Sequence, residues 1–412
     1  MFSLELIFAV LVLISALFSL LSIIAAHRYL AVRPPMLRAP APISILKPLA
    51  GLDRDLEANL RCFFEQDYPC FEILFAVRDE SDPAFAIAEK LRREYRSVPS
   101  RVIFTGEPPY ANRKAYSLER MLKVASHDLV VMSDSDTRAT PSMLQTLAAE
   151  FQDPAVGLAT CPYRAVPGAN FWSKLEAAGL NSDFIAGILA ARMIEGMRFA
   201  VGPTIAARRE VLEAVGGFAR LKEYLAEDFM LGRLAAEAGY GVILSSYVIE
   251  HHIAAAGVRQ NFAHRLRWLR STRRSRPLGY LGQVFTMTTP LSLAMLVADW
   301  RLWPVAAVAI ALRIAAAYVM AALVLRTKIP VLLLLEDLAA FGFWIGGFFG
   351  RTVVWRGERY RLMRDGRFVP AHSASSTIST RRLLARPASV SFDPSGRLEP
   401  SLETESRDSG IA

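Results

Sequence analysis

The run Leu4 to Ala26 is apolar apart from Glu5 and three serines, and it is long enough to cross a hydrocarbon core of about 30 Å. Three further apolar segments lie near the other end of the chain: Leu278 to Ala298, Leu302 to Leu325 and Ile329 to Gly350. Between them sits a stretch of ordinary soluble composition. The overall 53% hydrophobic content is therefore concentrated at the two ends, and the layout expected is that of a membrane-anchored enzyme. Positive charges at His27, Arg28, Arg33 and Arg38 follow the first apolar run rather than precede it, and no small-residue cleavage site comes after. Both facts favour an anchor over a removed signal peptide and assign the middle domain to the cytosolic side.

These features divide the chain into an anchor with a basic flank (1–38), a soluble domain (39–276), C-terminal membrane segments (277–350), a basic juxtamembrane stretch (351–367) and a tail (368–412). The tail holds ten serines and few large apolar residues, so it is expected to be disordered. Residues 351–367 carry six arginines against two acids and prefer the cytosol. A return to that side needs an even number of crossings, so one C-terminal segment is expected to be re-entrant or interfacial. The first, with Gln283 and Thr286 to Pro290, is the candidate. Glu336 and Asp337 fall inside the last segment and call for a partner such as Arg313 or for a lipid-substrate groove.

The net charge of +9 raises the question of nucleic acid. Seven arginines between Arg259 and Arg276, with no acid among them, stand directly before a membrane segment. That position suits anionic headgroups, no nucleic-acid-binding signature accompanies it, and no nucleic-acid partner is expected. Cys62, Cys70 and Cys161 form no CxxC pair and read as free thiols. The six histidines suggest no transition-metal centre.

From Ile43 to Asp136 short β-rich runs alternate with helical ones, the pattern of a parallel sheet with crossover helices. Ile43–Leu46, Phe71–Val77, Arg101–Phe104 and Leu129–Met132 read as strands, and Asp53–Phe64, Pro83–Tyr95 and Arg113–Ala125 as helices, with Asp82 as an N-cap. The fourth strand ends in Ser133-Asp134-Ser135-Asp136. Residues i and i+2 share a side of a strand, so Asp134 and Asp136 can reach one hard cation whose shell is completed by phosphate oxygens. The same pair also suits a turn or a cap. Asp79 follows the second strand, and open α/β sheets bind ligands beyond their carboxyl edge. No glycine-rich phosphate loop is present, which favours a metal as the diphosphate holder. Lys47, before Pro48, reads as a solvated strand end.

In order, Asp79, Asp134-Ser135-Asp136, Glu227-Asp228 and His264-Arg265-Leu266-Arg267-Trp268 resemble the D, D, D, (Q/R)xxRW series of membrane inverting glycosyltransferases. The set is most similar to the ceramide glucosyltransferase family, family 21, including its bacterial hopanoid-associated branch. Ile43 to Leu49, Asp82-Pro83-Ala84, Asn112-Arg113-Lys114 and Trp355 to Leu362 support the resemblance, which spans about residues 1–367. His264 departs from it, standing where glutamine or arginine is usual.

The resemblance implies a GT-A-like, Rossmann-type nucleotide-sugar-binding α/β domain between N-terminal and C-terminal membrane helices. It implies transfer of glucose or N-acetylglucosamine from a UDP-sugar to a membrane lipid hydroxyl, with ceramide or a hopanoid polyol as acceptor. The expected location is the cytosolic face of a membrane, a bacterial inner membrane for that branch. By the same resemblance Asp134 and Asp136 hold Mg²⁺ or Mn²⁺, Asp228 is the base, and Asp79, Asn112, Lys114, His264, Arg267 and Trp268 serve the donor. A processive polysaccharide synthase and a non-catalytic nucleotide-binding membrane protein stand as the alternatives.

Overall fold

The computed structural model describes residues 4–254, 257–328, 331–355 and 357–371, so most of the segment expected to be a disordered tail lies outside the described residues. Strands β1 (Ile43–Pro48), β2 (Phe71–Val77), β3 (Ser100–Phe104) and β4 (Leu129–Ser133) fall where the alternation puts them. They are followed by β5 (Thr137–Arg138), β6 (Val156–Thr160), β7 (Tyr163–Val166), β8 (Thr204–Arg208), β9 (Gly241–Leu244) and β10 (Ile249–His252). The short strands β11 (Thr352–Trp355), β12 (Glu358–Leu362) and β13 (Phe368–Pro370) close the described chain.

The main sheet runs β3-β2-β1-β4-β8-β6-β9. All neighbours are parallel except β8, which is antiparallel to both β4 and β6. Side chains alternate between two apolar layers. Ile43, Ile45, Ile73, Phe75 and Val131 point into one, with Leu60 and Phe63 of the helix Leu56–Phe64. Leu46, Leu74, Ala76, Val130 and Met132 point into the other, with Leu118 and Met121 of the helix Arg113–Leu122. A sheet buried on both faces needs apolar residues at both parities, which explains the near-continuous hydrophobic reading of β2 and β4. The chain order reverses between β1 and β4, and the crevice at their carboxyl ends is the ligand position of such sheets.

Local chemistry fixes the helix starts. Asp82 accepts from Ala84 N at 3.0 Å and from Gly51 N at 2.9 Å, capping Pro83–Glu94 as expected and tying it to the loop after β1. Asn112 caps Arg113–Leu122 through Ala115 N at 2.9 Å while its amide nitrogen donates to Tyr224 O at 2.8 Å. The three cysteines are free.

Among the described residues three helices are long and apolar enough to cross a membrane: Leu4–Leu30, Phe171–Glu195 and Trp300–Val324. The second belongs to the stretch assigned to the soluble domain, and it buries 56% of its most apolar window. Its later half, Ile185–Glu195, shares an apolar cluster with Ala25, Ala26 and Tyr29 of the first helix, so protein contacts satisfy much of its hydrophobicity. The segment from Leu278 is broken: Pro277–Thr286 and Thr288–Ala298 meet at 63°, the shape of a broken span or re-entrant loop. Proline and threonines at this bend fit the breakage. Glu336 and Asp337 find cationic partners. Asp337 accepts from Arg313 at 2.7 Å and from Thr289 Oγ1 at 2.7 Å, and Glu336 from Arg265 at 3.0 Å. Pairing buried charges in this way avoids the penalty of leaving them alone in an apolar layer.

β11, β12 and β13 form an antiparallel sheet, and β13 extends into the segment assigned to the tail. Phe368 N donates to Glu223 O at 2.8 Å and Tyr224 bridges Arg367, so this sheet braces the loop before Glu227.

The helix Glu227–Glu237 lies directly on the backbone at 199–200: a Cβ at Gly232 would fall 2.2 Å from Ala200 N and 2.4 Å from Phe199 C. Gly232→Ala is expected to destabilise the chain by about 1–3 kcal/mol, the usual cost of overpacking. Thermal unfolding in detergent checks this, and an unchanged midpoint would contradict the close approach.

Candidate active site

Three strand ends and two helix starts converge at the crevice. Lys47 stands one residue before the end of β1, Asp79 follows β2, and Asp134 and Asp136 follow β4. Asn112 fixes the start of Arg113–Leu122, which carries Lys114 in its first turn. Glu227 and Asp228 open Glu227–Glu237.

Lys114 joins these pieces. Its ammonium lies 2.6 Å from Asp134 Oδ1 and 2.9 Å from Glu227 Oε1. One cation thus bridges the acids after β4 to the acidic pair more than ninety residues later in the sequence. Burial works against the charge on Lys114, but Asp134 and Glu227 outweigh it and hold the ammonium well above its usual value. Lys114, Asp134, Glu227 and Asp228 line one cleft with Pro48 and Gly202, of about 330 Å³.

Asp228 follows its pocket neighbour Glu227, and burial together with that like charge pushes its carboxyl up to about 7, against the pull of Lys114. A carboxyl poised there can exchange a proton near neutrality. Gly202 makes room for it, since a Cβ at that position would stand 3.0 Å from Asp228 Oδ2.

The two aspartates of the strand-end motif are held differently. Burial raises Asp134, with Lys114 opposing and Asp136 adding to the rise. Burial acts the same way on Asp136, but His251 overcomes it and takes the carboxyl down to about 2. His251 Nε2 lies 3.3 Å from Asp136 Oδ2, and burial of the imidazole is outweighed by Asp136, so its pKa is raised. The pair is formed by the small sheet β5-β10-β7, in which His251 sits opposite Thr137. The backbone of this turn is also pinned. Asp134 N donates to Pro203 O at 2.9 Å and His252 N to Asp136 O at 2.8 Å.

Lys47 is not the solvated strand end read from the sequence. It is fully buried, donates to Asp134 O at 2.6 Å and Thr137 Oγ1 at 3.2 Å, and stands 3.7 Å from the centre of the Phe63 ring. Burial lowers it to about 8. Lys47, Glu227 and His251 thus join the candidate site without a role from the sequence; Glu227 was signalled only as the neighbour of Asp228, and Lys47 only by its place near a strand end.

Of the residues assigned to the donor, Lys114 alone lines the cleft, and the others stand apart from it. Asp79 lies at the same sheet edge, accepting from Ser81 N at 2.9 Å and Arg78 Nε at 2.8 Å. Asn112 is fully buried with both amide atoms engaged, so it acts through Lys114's helix. Arg267 and Trp268 lie half-buried on the helix Val258–Ser275. Trp268 joins a row of rings through Phe184 at 6.4 Å and Tyr163 at 5.1 Å from Phe184, ending at His251, 5.3 Å from Tyr163. His264 turns to the helix Phe171–Gly179, its Nδ1 2.9 Å from Glu176 Oε1.

Among the described residues no cluster of three or more His, Cys, Asp and Glu side chains has the geometry of a metal site. Asp136 Oδ1 is nevertheless buried without a partner. An orphaned carboxylate oxygen beside a second carboxylate fits a cation that takes most of its ligands from a bound diphosphate.

The family model for glycosyl transferase family 21 matches residues 7–368, and the chain belongs to that family. It is 24% identical over 230 residues to ceramide glucosyltransferase 1 of Caenorhabditis elegans, covering 55% of this chain and 49% of that one. A ceramide glucosyltransferase of Komagataella phaffii is 34% identical over 98 residues, covering 23% of this chain and 19% of the other. The matched region thus spans at most about half the length of these curated relatives. A solved mannosyltransferase of Pyrobaculum calidifontis, in complex with GDP-Man and Mn²⁺, is similar at 21% identity and a TM-score of 0.49, covering 84% of this chain and 97% of that one.

Lys114→Met leaves Asp134, Glu227 and Asp228 facing one another without their cation. The folded pKa values of Asp134 and Asp228, already raised, then rise further above the unfolded value of about 4, so stability is retained at low pH and lost as pH climbs toward the folded values. The variant is expected to lose more thermal stability than the parent between pH 5.5 and 8. Parallel melting curves across that range would contradict the bridge.

Proposed function

We propose that the chain transfers a hexose, glucose or N-acetylglucosamine, from a UDP-sugar to a hydroxyl of a membrane lipid, with inversion at the anomeric carbon. The observation that carries this reading is the Lys114 bridge, which brings Asp134 of the strand-end motif and the Glu227-Asp228 pair into one cleft. The family and the likeness to ceramide glucosyltransferases support a lipid acceptor, with ceramide or a hopanoid polyol as the two candidates. Basic flanks after the first helix and around the last one support a cytosolic catalytic face, at the inner membrane in a bacterium.

Asp228 takes the proton of the acceptor hydroxyl as that oxygen attacks the anomeric carbon, and the bond to the diphosphate breaks in the same displacement. An α-linked donor then yields a β-glycoside and UDP, with no covalent enzyme intermediate. Asp136 and Asp134 would hold Mg²⁺ or Mn²⁺; when bound, such a cation supplies positive charge to the leaving diphosphate. Arg267 adds a permanent cation at the phosphates, and Trp268 packs beside the donor. Asp79 accepts from the nucleoside, while Lys47 and His251 keep Asp134 and Asp136 in place. Glu227 and Lys114 hold the base near neutrality.

The test is mass spectrometry of lipids after incubating the full chain in membranes with UDP-glucose or UDP-N-acetylglucosamine, Mg²⁺ or Mn²⁺, and ceramide or a hopanoid polyol. A metal-dependent hexosyl lipid is expected; a ladder of oligosaccharides would instead support a polymer synthase. Asp228→Asn is expected to lower turnover by about 10²–10⁴ while UDP-sugar binding persists. Because the base must be deprotonated, kcat/KM of the parent is expected to rise with pH through about 7. Turnover retained in Asp228→Asn would refute its role.

A further inference from the structure

The arginines between Arg259 and Arg276 do not share one role. Arg265 pairs with Glu336 and Arg276 with Glu195. Arg270 donates to Phe349 O at 2.9 Å and to Thr352 O at 2.8 Å, and Arg273 donates to Phe348 O at 2.6 Å. Arg274, in the last turn of the same helix, meets no carboxylate among the described residues.

Two close approaches bring further arginines to it. The turn at 348–350 lies against Arg270 and Arg273: a Cβ at Gly350 would stand 2.9 Å from Arg270 Nη2, and Arg351 follows directly. The turn between β12 and β13 lies on the end of the helix Val258–Ser275, where a Cβ at Gly366 would stand 3.4 Å from Ser275 Oγ. Arg364 belongs to that turn. Burial, Arg273, Arg351 and Arg364 all act against the charge on Arg274 and lower its pKa.

The acids around this cluster are already spent. Asp365 accepts from Arg367 Nε at 2.7 Å, Glu223 pairs with Arg367 at 3.2 Å, Glu358 pairs with Arg113 and Glu195 with Arg276. Arg273 Nε is buried without a partner. Like charges gathered from three segments cost free energy unless an anion answers them. The surroundings say which kind of anion. The cluster lies just beyond the helix Leu333–Gly347, and Phe349, Val354 and Met363 stand exposed in the same segments as Arg351 and Arg364. Cations beside exposed apolar side chains suit an anion that carries its own apolar chains.

We propose that Arg274, Arg351 and Arg364 form a binding site for the phosphate of a net-anionic phospholipid headgroup, with Phe349 and Met363 against its acyl chains. Guanidinium forks match phosphate oxygens, and a zwitterionic headgroup brings its own cation and is disfavoured. None of the three arginines lines the cleft around Lys114, so the site is independent of which sugar and acceptor that cleft takes. Arg351 and Arg364 flank the end of the sheet whose Phe368 N holds Glu223 O, so a bound headgroup also fastens the brace of the loop before Glu227.

The experiment is native mass spectrometry of the full chain released from detergent micelles that contain equal amounts of phosphatidylglycerol and phosphatidylcholine. The parent is expected to retain phosphatidylglycerol in preference, with or without excess UDP or inorganic phosphate. Each arginine at such a surface is worth about fivefold, so Arg274→Gln/Arg351→Gln/Arg364→Gln is expected to lower the preference by more than about tenfold. Arg93→Gln/Arg96→Gln/Arg120→Gln, which removes the same charge from exposed positions elsewhere, is expected to leave it unchanged. If the first triple variant does not fold, Arg364→Gln alone, in its exposed turn, is expected to cost about fivefold. Equal retention of the two lipids by the parent, an equal loss in the control variant, or an undiminished preference in variants that melt like the parent would overturn the proposal. Displacement of phosphatidylglycerol by UDP or by inorganic phosphate would assign the arginines to a soluble anion and overturn it as well.

Discussion

One ammonium group organises the candidate active site. Lys114 meets Asp134 after β4 and Glu227 at the start of Glu227–Glu237, and both contacts are short. Four carboxylates gathered at one crevice would repel and drive each other toward the neutral form. The lysine keeps Asp134 and Glu227 compatible, and by its field it limits how far Asp228 can rise. Its own position depends on Asn112, whose amide fastens the helix start to Tyr224, and Tyr224 is braced by the C-terminal sheet. A chain of contacts therefore runs from the segment after the helix Leu333–Gly347 to the loop before the proposed base.

The apolar helices obey the same rule of paired charge. Arg313 sits between Asp183 and Asp337, and Arg265 pairs with Glu336. Arg270 donates to Phe349 O at 2.9 Å and Thr352 O at 2.8 Å, so the arginine-rich helix is bound to the end of the last apolar helix as well as facing headgroups. Much of the charge cluster that looked like a lipid-binding face in the sequence is structural.

The parallel half of the sheet was legible because periodicity is local: β1 to β4 and the helices between them follow from alternation and caps. Asp134 and Asp136 were legible for the same reason, being two residues apart at a strand end. Glu336 and Asp337 were legible as groups in need of partners, since isolated charge in an apolar run has few solutions. What stayed hidden depends on contacts between distant segments. Lys47 gives no local sign of burial, and His251 acquires meaning only when β10 pairs with β5 beside Asp136. The π-helical turns Leu180–Phe184 and Val319–Val324 carry no recognisable local pattern, and the buried character of Phe171–Glu195 arises from helices at both ends of the chain. β13 was lost in a serine-rich tail because three residues are too few to show a period.

The central claim is a single displacement assisted by Asp228 in the cleft that Lys114 assembles. The anomeric configuration of the first-formed product, read from the proton coupling at the new glycosidic centre by NMR, tests it most directly. An α-linked UDP-sugar is expected to give a β-glycoside from the earliest turnover. An α-glycoside would contradict the account, because retention requires either a covalent intermediate or attack from the leaving-group face, and Asp228 as the sole base serves neither.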